Sequence, residues 1–347
     1  MLALTVTPGK SNSLDLQHVG TPPVCDGAVV VRMLTLGICG TDLEIIKGEY
    51  GWSPPGSDQL IIGHESLGIV EEAPAGCGFT KGDLVVGIVR RPDPVPCPAC
   101  AAGEWDMCRN GRYTERGIKE RNGYGSELVR VEPEFLVKVD SALGCLAVLT
   151  EPASVIAKAW EQTLRSVSRS FTWDPHIVLV TGAGPVGLLA ALLAVQMGLE
   201  VHVFDRIRSG PKPELVNALG AIYHADTPED LRPDIVIECT GASTVVLDVI
   251  GRTSPDGVVC LAGVSSGGRE LAFDAGAFNR TIVLENHVVF GTVSANRHHY
   301  QTAAKVLAQA DKDWLSRLIT RRTPLQRWRE AFHRNDDDIK VVIDFAG

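Results

Sequence analysis

The pattern of apolar and polar residues changes near residue 170. Up to about Val139, short β-branched runs alternate with glycine and proline, which is typical of strands joined by turns. The predicted strands of this part are Ala28–Leu36, Ser66–Glu71, Asp83–Val89 and Gly125–Val131. They indicate a β-rich, partly barrel-like domain. A helix is predicted next over Glu151–Val167, with Pro152 in its first turn, where proline is tolerated.

From His176 onward, apolar strands alternate with helices. The predicted strands are Ile177–Thr181, Glu200–Phe204, Asp234–Glu238, Val258–Ala262 and His287–Val293, and the helices are Val186–Met197 and Glu214–Leu219. Nearly continuous apolar strands between helices predict a parallel, doubly wound sheet, and hence an α/β fold. After about Ser294 we expect helices and a last strand, Ile339–Phe345. The predicted domains are residues 1–155 with 295–347, and residues 156–294.

A glycine-rich turn follows the first strand of the second domain. Gly182-Ala183-Gly184-Pro185-Val186-Gly187 fits the G-x-G-x-x-G pattern and opens a helix, as that pattern requires. The glycines permit a tight turn, close approach of a pyrophosphate and close helix–strand packing, and the helix N-terminus attracts phosphate. A purely structural turn is the alternative. The candidate cofactor-binding residues are Gly182, Gly184, Pro185, Val186 and Gly187, with Thr240 and Gly263 farther along the chain.

An acidic residue at the end of the second strand bears on the choice of cofactor. Asp205 lies 18 residues after Gly187, where a carboxylate can bind both ribose hydroxyls and would repel a 2′-phosphate. Arg206 and Arg208 follow at once, and either can pair with that phosphate. The alternative for both arginines is a solvated surface turn. We therefore expect NAD to be preferred and NADP to be tolerated.

Two groups of residues have the chemistry of zinc ligands. Cys39 follows a strand, and His64 and Glu65 are adjacent. Thiolate, imidazole and carboxylate all bind zinc, and a catalytic zinc keeps one position open for water or substrate. Each of these residues alone would be a weak signal, because a buried cysteine is usually a core residue. Their combination with a nucleotide-binding pattern predicts a catalytic zinc site.

The second group is a cysteine cluster. Cys97 and Cys100 have the two-residue spacing that lets two thiolates face one ion, and Cys108 follows. This predicts a structural zinc, which needs a fourth ligand. Asp93 lies just upstream and can supply an oxygen. The alternative is an incomplete site that binds no metal.

Charge and cysteine content narrow the function classes. The 347 residues carry a formal net charge of -9, so neither nucleic acid nor an anionic membrane is an expected partner. The first ten residues lack a signal-peptide pattern, and no run of about 18 uncharged apolar residues suggests a membrane span. Nine cysteines, an odd number, indicate thiols or metal ligands rather than disulfides. The expected location is the cytoplasm.

Together these residues resemble the zinc-containing medium-chain dehydrogenases, and among them the archaeal-type glucose 1-dehydrogenases. The resemblance covers nearly the whole chain. Its most specific segments are Leu36–Gly48, Gly63–Val70, Val89-Arg90-Arg91-Pro92, Glu115-Arg116-Gly117-Ile118, Glu151-Pro152 and Phe273–Phe278. It implies a GroES-like catalytic domain, a Rossmann nucleotide-binding domain, and a homo-oligomer, either a dimer or, as we expect, a tetramer.

The resemblance also implies a role for individual residues. Cys39 and His64 match catalytic zinc ligands, Glu65 a neighbouring acidic ligand, Thr41 the hydroxyl that relays the substrate proton, and Glu115 an acid that binds sugar hydroxyls. Glu151 stands where alcohol dehydrogenases use a second cysteine, and would bind zinc directly or through water, next to the substrate. Cys97, Cys100 and Cys108 match three of four lobe-zinc cysteines, with Pro94 near the place of the fourth.

The chain departs from its relatives at positions that bear on the substrate. Val89, Val155 and Ser294 stand where glucose-specific relatives can carry polar side chains, and a buried hydroxyl without a partner costs about 1–3 kcal/mol. Ser294 and Asn296 join Glu115 and Glu151 as candidate substrate-binding residues. His298 and His299 are near Asn296 and can contribute to the same site. The alternative for these three residues is a surface loop.

The expected reaction is hydride transfer from a hydroxyl of a small-molecule substrate, an aldose C1 of the glucose type, to NAD(P). Zinc would lower the pKa of that hydroxyl and Thr41 would pass the proton on, in a cleft between the two domains. A polyol, secondary-alcohol or biosynthetic aminosugar-type dehydrogenase is the first alternative. A nucleotide-binding redox sensor without turnover is the second. A zinc-free quinone-type reductase is disfavoured by the Cys39, His64 and Glu65 set.

Overall fold

The computed structural model describes residues 1–265 and 270–345. It contains two compact units, one formed by Met1–Ser154 with Ser294–Gly347 and the other by Val155–Val293. In chain order the strands are β1 (Leu2–Val6), β2 (Asp15–His18), β3 (Val29–Ile38), β4 (Leu60–Ile61), β5 (Glu65–Glu72), β6 (Leu84–Gly87), β7 (Arg90–Arg91), β8 (Thr114–Arg116), β9 (Glu120–Arg121), β10 (Leu128–Val131), β11 (Leu136–Lys138), β12 (Ile177–Thr181), β13 (Glu200–Phe204), β14 (Ile222–His224), β15 (Ile235–Glu238), β16 (Val258–Leu261), β17 (Val288–Gly291), β18 (Ile319–Pro324) and β19 (Lys340–Asp344).

The helices and 3-10 turns connect these strands. The α-helices are α1 (Gly40–Lys47), α2 (Pro98–Ala101), α3 (Thr150–Val167), α4 (Pro185–Gln196), α5 (Pro211–Ala218), α6 (Ser243–Arg252), α7 (Ala275–Leu284), α8 (Arg297–Gln309), α9 (Lys312–Leu318) and α10 (Trp328–Ala331). The 3-10 turns are Val24–Asp26, Trp105–Met107, Pro133–Phe135, Ser141–Leu149 and Leu325–Arg327.

The first unit is built around β3, the ten-residue strand at the centre of its main sheet. The strand order of that sheet is β11-β6-β5-β3-β19-β18, and β10 also pairs with β3. Apolar side chains alternate along the first half of β3, where Val29, Val31 and Met33 are buried. The β3–β5 and β3–β19 pairs are antiparallel and run to the C-terminal end of β3. The start of β5, the start of β19 and the residue after β3 therefore meet at one place.

Gly37 makes that meeting place possible. It lies opposite Glu65 in the β3–β5 ladder, and a Cβ atom at Gly37 would lie only 2.0 Å from Glu65 Oε2. A larger residue would thus occupy the space that the Glu65 carboxylate fills.

The second unit has the predicted doubly wound sheet. Its six parallel strands, in the order β14-β13-β12-β15-β16-β17, place the first strand of the unit at the centre. This order puts the topological switch point beside β12, where such folds bind dinucleotides. A core cluster on one face contains Leu179, Val236, Val249, Ile250 and Val259.

The ten predicted strands are confirmed within a few residues at their ends, but nine further strands of the described residues are not predicted by the pattern, namely β1, β2, β4, β7, β8, β9, β11, β14 and β18. Two of these nine show one physical reason. β14 and β18 lie at the outer edges of their sheets. Their sequences, Ile-Tyr-His and Ile-Thr-Arg-Arg-Thr-Pro, lack an apolar run or a regular alternation. An edge strand buries less of its surface than a central strand does. It can therefore form by pairing with its neighbour even though its sequence has no hydrophobic pattern.

One helical stretch among the described residues is long and apolar enough to cross a membrane by length and composition alone. It covers Ser141–Val167, and 78% of its most apolar window is buried inside the protein. The sequence pattern predicts no such stretch, because four charged residues interrupt its apolar run, namely Glu151, Lys158, Glu161 and Arg165. Its burial is that of a core helix.

Candidate active site and nucleotide site

Three predicted zinc ligands lie together at the C-terminal end of β3. One ligand atom from each of Cys39, His64 and Glu65 lies within 4.8 Å of the other two. Cys39 Sγ is 3.0 Å from His64 Nε2. Cys39 follows β3 and caps helix α1, while His64 and Glu65 lead into β5. Antiparallel pairing of the two strands therefore assembles the group.

Asp42 orients two of these three residues. Its Oδ2 accepts a hydrogen bond from the Cys39 N–H at 2.9 Å, and its Oδ1 lies 3.4 Å from His64 Nδ1. Burial lowers the pKa of His64, but Cys39 and Asp42 outweigh burial and hold that pKa well above its usual range. A carboxylate behind a histidine fixes the ring in metal sites. Sequence reasoning missed Asp42, although its place three residues after an N-capping Cys39 is a capping-box position.

Lys340 neutralises Glu65. Its ammonium lies 2.6 Å from both carboxylate oxygens of Glu65 and donates a further hydrogen bond to the Ile38 carbonyl at 3.2 Å. The side chains of Lys340 and Glu65 are 1% and 3% exposed. Burial lowers the pKa of Lys340, and the negative charge of Glu65 more than compensates and raises it. Sequence reasoning missed Lys340, whose only signal is a charge that opens an otherwise apolar strand.

The other two predicted catalytic residues lie close to this group. The Thr41 backbone N–H donates to Cys39 Sγ at 3.3 Å, and Thr41 is half-buried in the first turn of α1. Glu151 is the second residue of α3 and is not within the group of mutually close ligand atoms. Burial raises the pKa of its carboxyl to about 7, with the negative charge of Glu65 adding to the rise and His64 opposing it.

The three lobe cysteines also lie together. Ligand atoms of Cys97, Cys100 and Cys108 are all within 4.8 Å of one another. Hydrogen bonds from the backbone N–H groups of Arg109 and Cys100 lower the pKa of Cys97 to about 6, while burial raises the pKa of Cys100 to about 11. A bound zinc ion would hold all three sulfurs as thiolates.

The structure does not bring the Asp93 carboxylate into this cysteine group. Asp93 Oδ1 accepts a hydrogen bond from Val95 N at 2.8 Å, and its Oδ2 lies 3.3 Å from Arg112 Nε. The part of the chain that is described offers no fourth member to the group. Asp93 as a zinc ligand thus stays a prediction.

The predicted substrate residues have different surroundings. Glu115 is buried and paired with Arg90, whose Nε and Nη2 lie 3.0 and 2.9 Å from Glu115 Oε1. Asn296 is also buried. Its side chain caps α8, and its Nδ2 donates a hydrogen bond to Asp106 Oδ1 at 2.9 Å. Ser294 has a left-handed backbone with φ 61° and is half-buried. The sequence pattern gave no sign of Arg90 or Asp106 as their partners.

The two neighbouring histidines differ from each other in exposure. His298 is exposed and His299 is buried. The Nδ1 of His299 accepts a hydrogen bond from the Asn296 N–H at 3.2 Å. The segment is therefore the capped start of a helix rather than a free surface loop.

In the second unit the glycine-rich turn has the geometry that the motif requires. Gly182 has φ 88°, a left-handed conformation that favours glycine. A Cβ atom at Gly187 would lie 1.8 Å from the Gly182 carbonyl oxygen, so only glycine fits. Gly184 caps α4, and Pro185 and Val186 form its first turn. The free N–H groups of that turn are available to a phosphate.

The Asp205 carboxylate is held at the edge of this turn. It accepts hydrogen bonds from Ala183 N at 2.8 Å and Ile207 N at 3.1 Å, and it pairs with Lys212 at 3.0 Å. Burial raises the pKa of Asp205, but these bonds outweigh burial and lower it. Arg206 is exposed beside it. Sequence reasoning missed Lys212, which lies two residues into α5.

A buried carboxylate fixes the two remaining cofactor candidates. Glu238, which is fully buried at the end of β15, accepts hydrogen bonds from the Thr240 N–H at 2.7 Å and from the Thr240 hydroxyl. A Cβ atom at Gly263 would lie 2.8 Å from Glu238 Oε2. Thr240 and Gly263 therefore belong to turns at the carboxyl edge of the parallel sheet, on which nucleotides bind in such folds.

Comparison with known families matches nearly the whole chain. Residues 25–141 match the alcohol dehydrogenase GroES-like domain, and residues 144–345 match the glucose dehydrogenase C-terminus. The glucose 1-dehydrogenase of Methanocella arvoryzae is 41% identical over 100% of both chains. That of Thermoproteus tenax is 41% identical over 99% of both chains.

Solved structures give the same result. The glucose dehydrogenase of Haloferax mediterranei, solved in complex with NADP, Zn and gluconolactone, superposes with a TM-score of 0.92 at 32% identity, over 100% of both chains. The resemblance and the fold class predicted from the sequence are both confirmed. The chain belongs to the zinc-dependent medium-chain dehydrogenases, in the family that contains the glucose 1-dehydrogenases.

Proposed function

We propose that the protein oxidises the C1 hydroxyl of an aldose of the glucose type with NAD(P), forming a lactone. Hydride would leave C1 for C4 of the nicotinamide, and the hydroxyl proton would leave to solvent. The observation that carries this proposal is the Cys39, His64 and Glu65 group, in a chain that also holds the buried carboxylate of Glu115, one oxygen of which has no hydrogen-bond partner among the described residues. The similarity to a relative solved with NADP, Zn and gluconolactone supports the substrate class.

The proposed metal site and the proposed cofactor site follow the division into two compact units. We assign the zinc chemistry to residues 1–155 with 295–347 and the cofactor to residues 156–294. Support comes from the observed boundaries after Ser154 and Val293. Each unit then contains one kind of site, the metal ligands in the first and the glycine-rich turn in the second.

The residues of the first site fit a zinc ion. One thiolate, one imidazole and one carboxylate within 4.8 Å form a zinc donor set. The Nδ1 of His64 and the Oδ1 of Asp42 are buried without a hydrogen-bond partner in the described chain and lie 3.4 Å from each other, which suits a carboxylate that orients a metal-binding histidine. Cys39, His64 and Glu65 would hold the metal, with Glu151 as a fourth ligand or the holder of a water. When bound, zinc supplies Lewis acidity that lowers the pKa of the substrate hydroxyl.

Thr41 is the residue that would accept the substrate proton. Support comes from its backbone N–H, which donates a hydrogen bond to the Cys39 sulfur, so that Thr41 lies in the first turn of α1 next to one of the proposed ligands. A short hydroxyl side chain both accepts and donates, so it can pass a proton on. Glu115 would accept hydrogen bonds from sugar hydroxyls, and Ser294 and Asn296 remain further candidates for that role.

The first test is a substrate panel with NAD and NADP, comprising glucose, galactose, xylose, polyols and secondary alcohols, with and without zinc chelation. We expect glucose-type aldoses to be oxidised. Chelation should abolish turnover, and zinc added afterwards should restore it. Cys39→Ser is expected to lower kcat/KM at least about 100-fold because it removes a metal ligand. Cys25→Ser, at an exposed cysteine, is the control and should leave kcat/KM unchanged.

The other outcomes of this panel select the alternatives. Turnover of polyols or secondary alcohols only would keep the zinc chemistry and refute the aldose. Tight cofactor binding without turnover of any substrate would favour a redox sensor.

Lys340 tests the electrostatics of the metal site. Lys340→Met leaves the buried Glu65 carboxylate without its cation, so we expect the free energy of unfolding to fall by about 3–5 kcal/mol. The double variant Lys340→Met, Glu65→Gln should recover part of this loss, because the unpaired charge is then gone. Urea unfolding of the metal-free protein measures both. Equal losses in the single and double variants would contradict a charge-based cause.

We further propose that NAD is preferred and NADP accepted. The Asp205 carboxylate supports NAD, while its pairing with Lys212 reduces its repulsion of a 2′-phosphate. Arg206 is exposed and has no side-chain partner among the described residues, so it is available to that phosphate. Arg208 pairs with Asp226 and is less available.

Substitutions of these residues should change the cofactor ratio. Asp205→Ser is expected to raise the NADP-to-NAD ratio of kcat/KM about tenfold or more, because it removes the charged acceptor to which the ribose hydroxyls of NAD would donate hydrogen bonds. Arg206→Ala should lower kcat/KM for NADP and leave kcat/KM for NAD unchanged. Arg208→Ala is the matched control. Steady-state kinetics with both cofactors give the ratio. If Asp205→Ser instead lowered kcat/KM equally for NAD and NADP, Asp205 would only shape the turn.

The open edge of the parallel sheet supports a homo-oligomer. β17 is an edge strand, and apolar residues of the same unit are exposed, namely Val264, Phe273, Val283, Leu284 and Val293. Such an edge is a template for pairing with another chain. Both ring nitrogens of His287 and the hydroxyl of Thr292, at the two ends of β17, are buried without a partner in the described chain. We propose that two copies pair through β17, and that the assembly is a dimer or a tetramer.

Light scattering after size exclusion tests the interface. Leu284→Arg is expected to dissociate the assembly towards monomer, because it introduces an unpaired charge into an apolar contact. Ile222→Arg is the control, since Ile222 is exposed on β14 at the opposite edge of the same sheet. A monomeric wild-type protein would refute the proposal.

We also propose a cytoplasmic location and no nucleic-acid or membrane partner. All nine cysteines are free thiols, which suits a reducing compartment. The net charge of -9 disfavours polyanions.

A further inference from the structure

Arg90 connects two parts of the first unit that the proposed function treats separately. One is Glu115, and the other is the cysteine lobe, which we define as residues 97–108. We propose that Arg90 is a positioning residue that fixes the substrate-binding oxygen of Glu115 and makes its position depend on the cysteine lobe. The inference rests on the proposed function, in which Glu115 binds a sugar hydroxyl.

The Arg90–Glu115 pair is arranged so that one carboxylate oxygen stays free. The two residues are direct neighbours in the β7–β8 ladder, and both are more than 90% buried. Arg90 Nε and Nη2 both bind Oε1, at 3.0 and 2.9 Å. Glu115 Oε2 has no hydrogen-bond partner among the described residues. Arg90 thus neutralises the buried carboxylate while leaving one acceptor for a substrate hydroxyl.

The rest of the Arg90 guanidinium is also fixed. Its Nη1 donates to the backbone carbonyl of Asp106 at 3.1 Å. The ring of Tyr113 covers one face, with Arg90 Cζ 3.8 Å from the ring centroid. Only a planar group with donors in several directions can bind two acceptors and stack at once. Lysine would keep the charge and lose this geometry.

Asp106 belongs to the cysteine lobe. It is the middle residue of the 3-10 turn Trp105–Met107, and the Cys108 N–H closes that turn on Trp105 O at 3.2 Å. The Asp106 carbonyl that anchors Arg90 is therefore two residues from a sulfur of the three-cysteine group. The fold of the lobe sets the position of that carbonyl, and through Arg90 it sets the position of Glu115.

Asp106 also fixes a second predicted substrate residue. Its side chain accepts the bond from Asn296 Nδ2, and Asn296 caps α8. A change in the lobe would thus be transmitted to Glu115 through the backbone carbonyl of Asp106, and to Asn296 through the Asp106 carboxylate. A single substitution of Arg90 tests the connection to Glu115 separately from the connection to Asn296.

Arg90→Lys tests the positioning role. We expect the KM for glucose to rise about tenfold, as for a misplaced hydrogen bond to a charged group, while kcat and the KM for the cofactor change less than about twofold. Arg91→Lys is the matched control, because Arg91 is equally buried but pairs with Glu132 and stacks on Phe135. It should leave the KM for glucose unchanged. An unchanged KM in Arg90→Lys, or an equal rise in Arg91→Lys, would overturn the proposal.

A double-mutant cycle tests the link to the lobe. Binding of glucono-1,5-lactone by calorimetry and zinc content per chain are measured for wild type, Cys108→Ser, Arg90→Lys and the double variant. We expect Cys108→Ser to lose lobe zinc and weaken lactone binding several-fold in the wild-type background, but to have little further effect in Arg90→Lys. An equal loss in both backgrounds would overturn the link.

Two further measurements separate the possible failures. If thermal melting shows that Cys108→Ser does not fold, the cycle is run with Glu115→Gln instead, where Arg90→Lys should add nothing. An additive effect in that cycle would refute positioning through Glu115. A wild-type protein that neither binds lactone nor oxidises glucose would refute the proposed function, whereas normal wild-type binding with an unaffected Arg90→Lys refutes this inference alone.

Discussion

The ion pair between Lys340 and Glu65 is the interaction on which the Cys39, His64 and Glu65 group depends. It joins the last strand of the chain to the residue that begins β5, and both side chains are almost fully buried. Burying two charges costs several kcal/mol each unless their geometry is close to ideal. The pair therefore requires β3, β5 and β19 in one register, the same register that brings Cys39 to His64.

Two other acidic residues are also paired with cations. Asp205 pairs with Lys212, and Glu115 pairs with Arg90, each at about hydrogen-bond distance. A buried carboxylate without a partner would take up a proton or destabilise the fold. Partner cations neutralise the charges of these two carboxylates within the fold.

The surroundings of the predicted substrate residues bear on specificity. Val89 is buried and its N–H donates to the Tyr300 hydroxyl at 3.3 Å, so neither its side chain nor its amide offers a contact to a sugar. Asn296 is committed to capping a helix and to Asp106. Glu115 differs from both, because Arg90 binds only one of its carboxylate oxygens and the other has no hydrogen-bond partner in the described chain.

The sequence by itself determined the features that depend on neighbouring residues. The turn from Gly182 to Gly187, the spacing of Cys97 and Cys100, and the alternation of apolar strands with helices are local patterns, so each predicted its structure directly. Tertiary structure alone decided which charges face one another, because Glu65 and Lys340 are 275 positions apart and their pairing follows from strand register. It also turned the Asp93 carboxylate towards Val95 and Arg112, a direction that spacing along the chain does not contain.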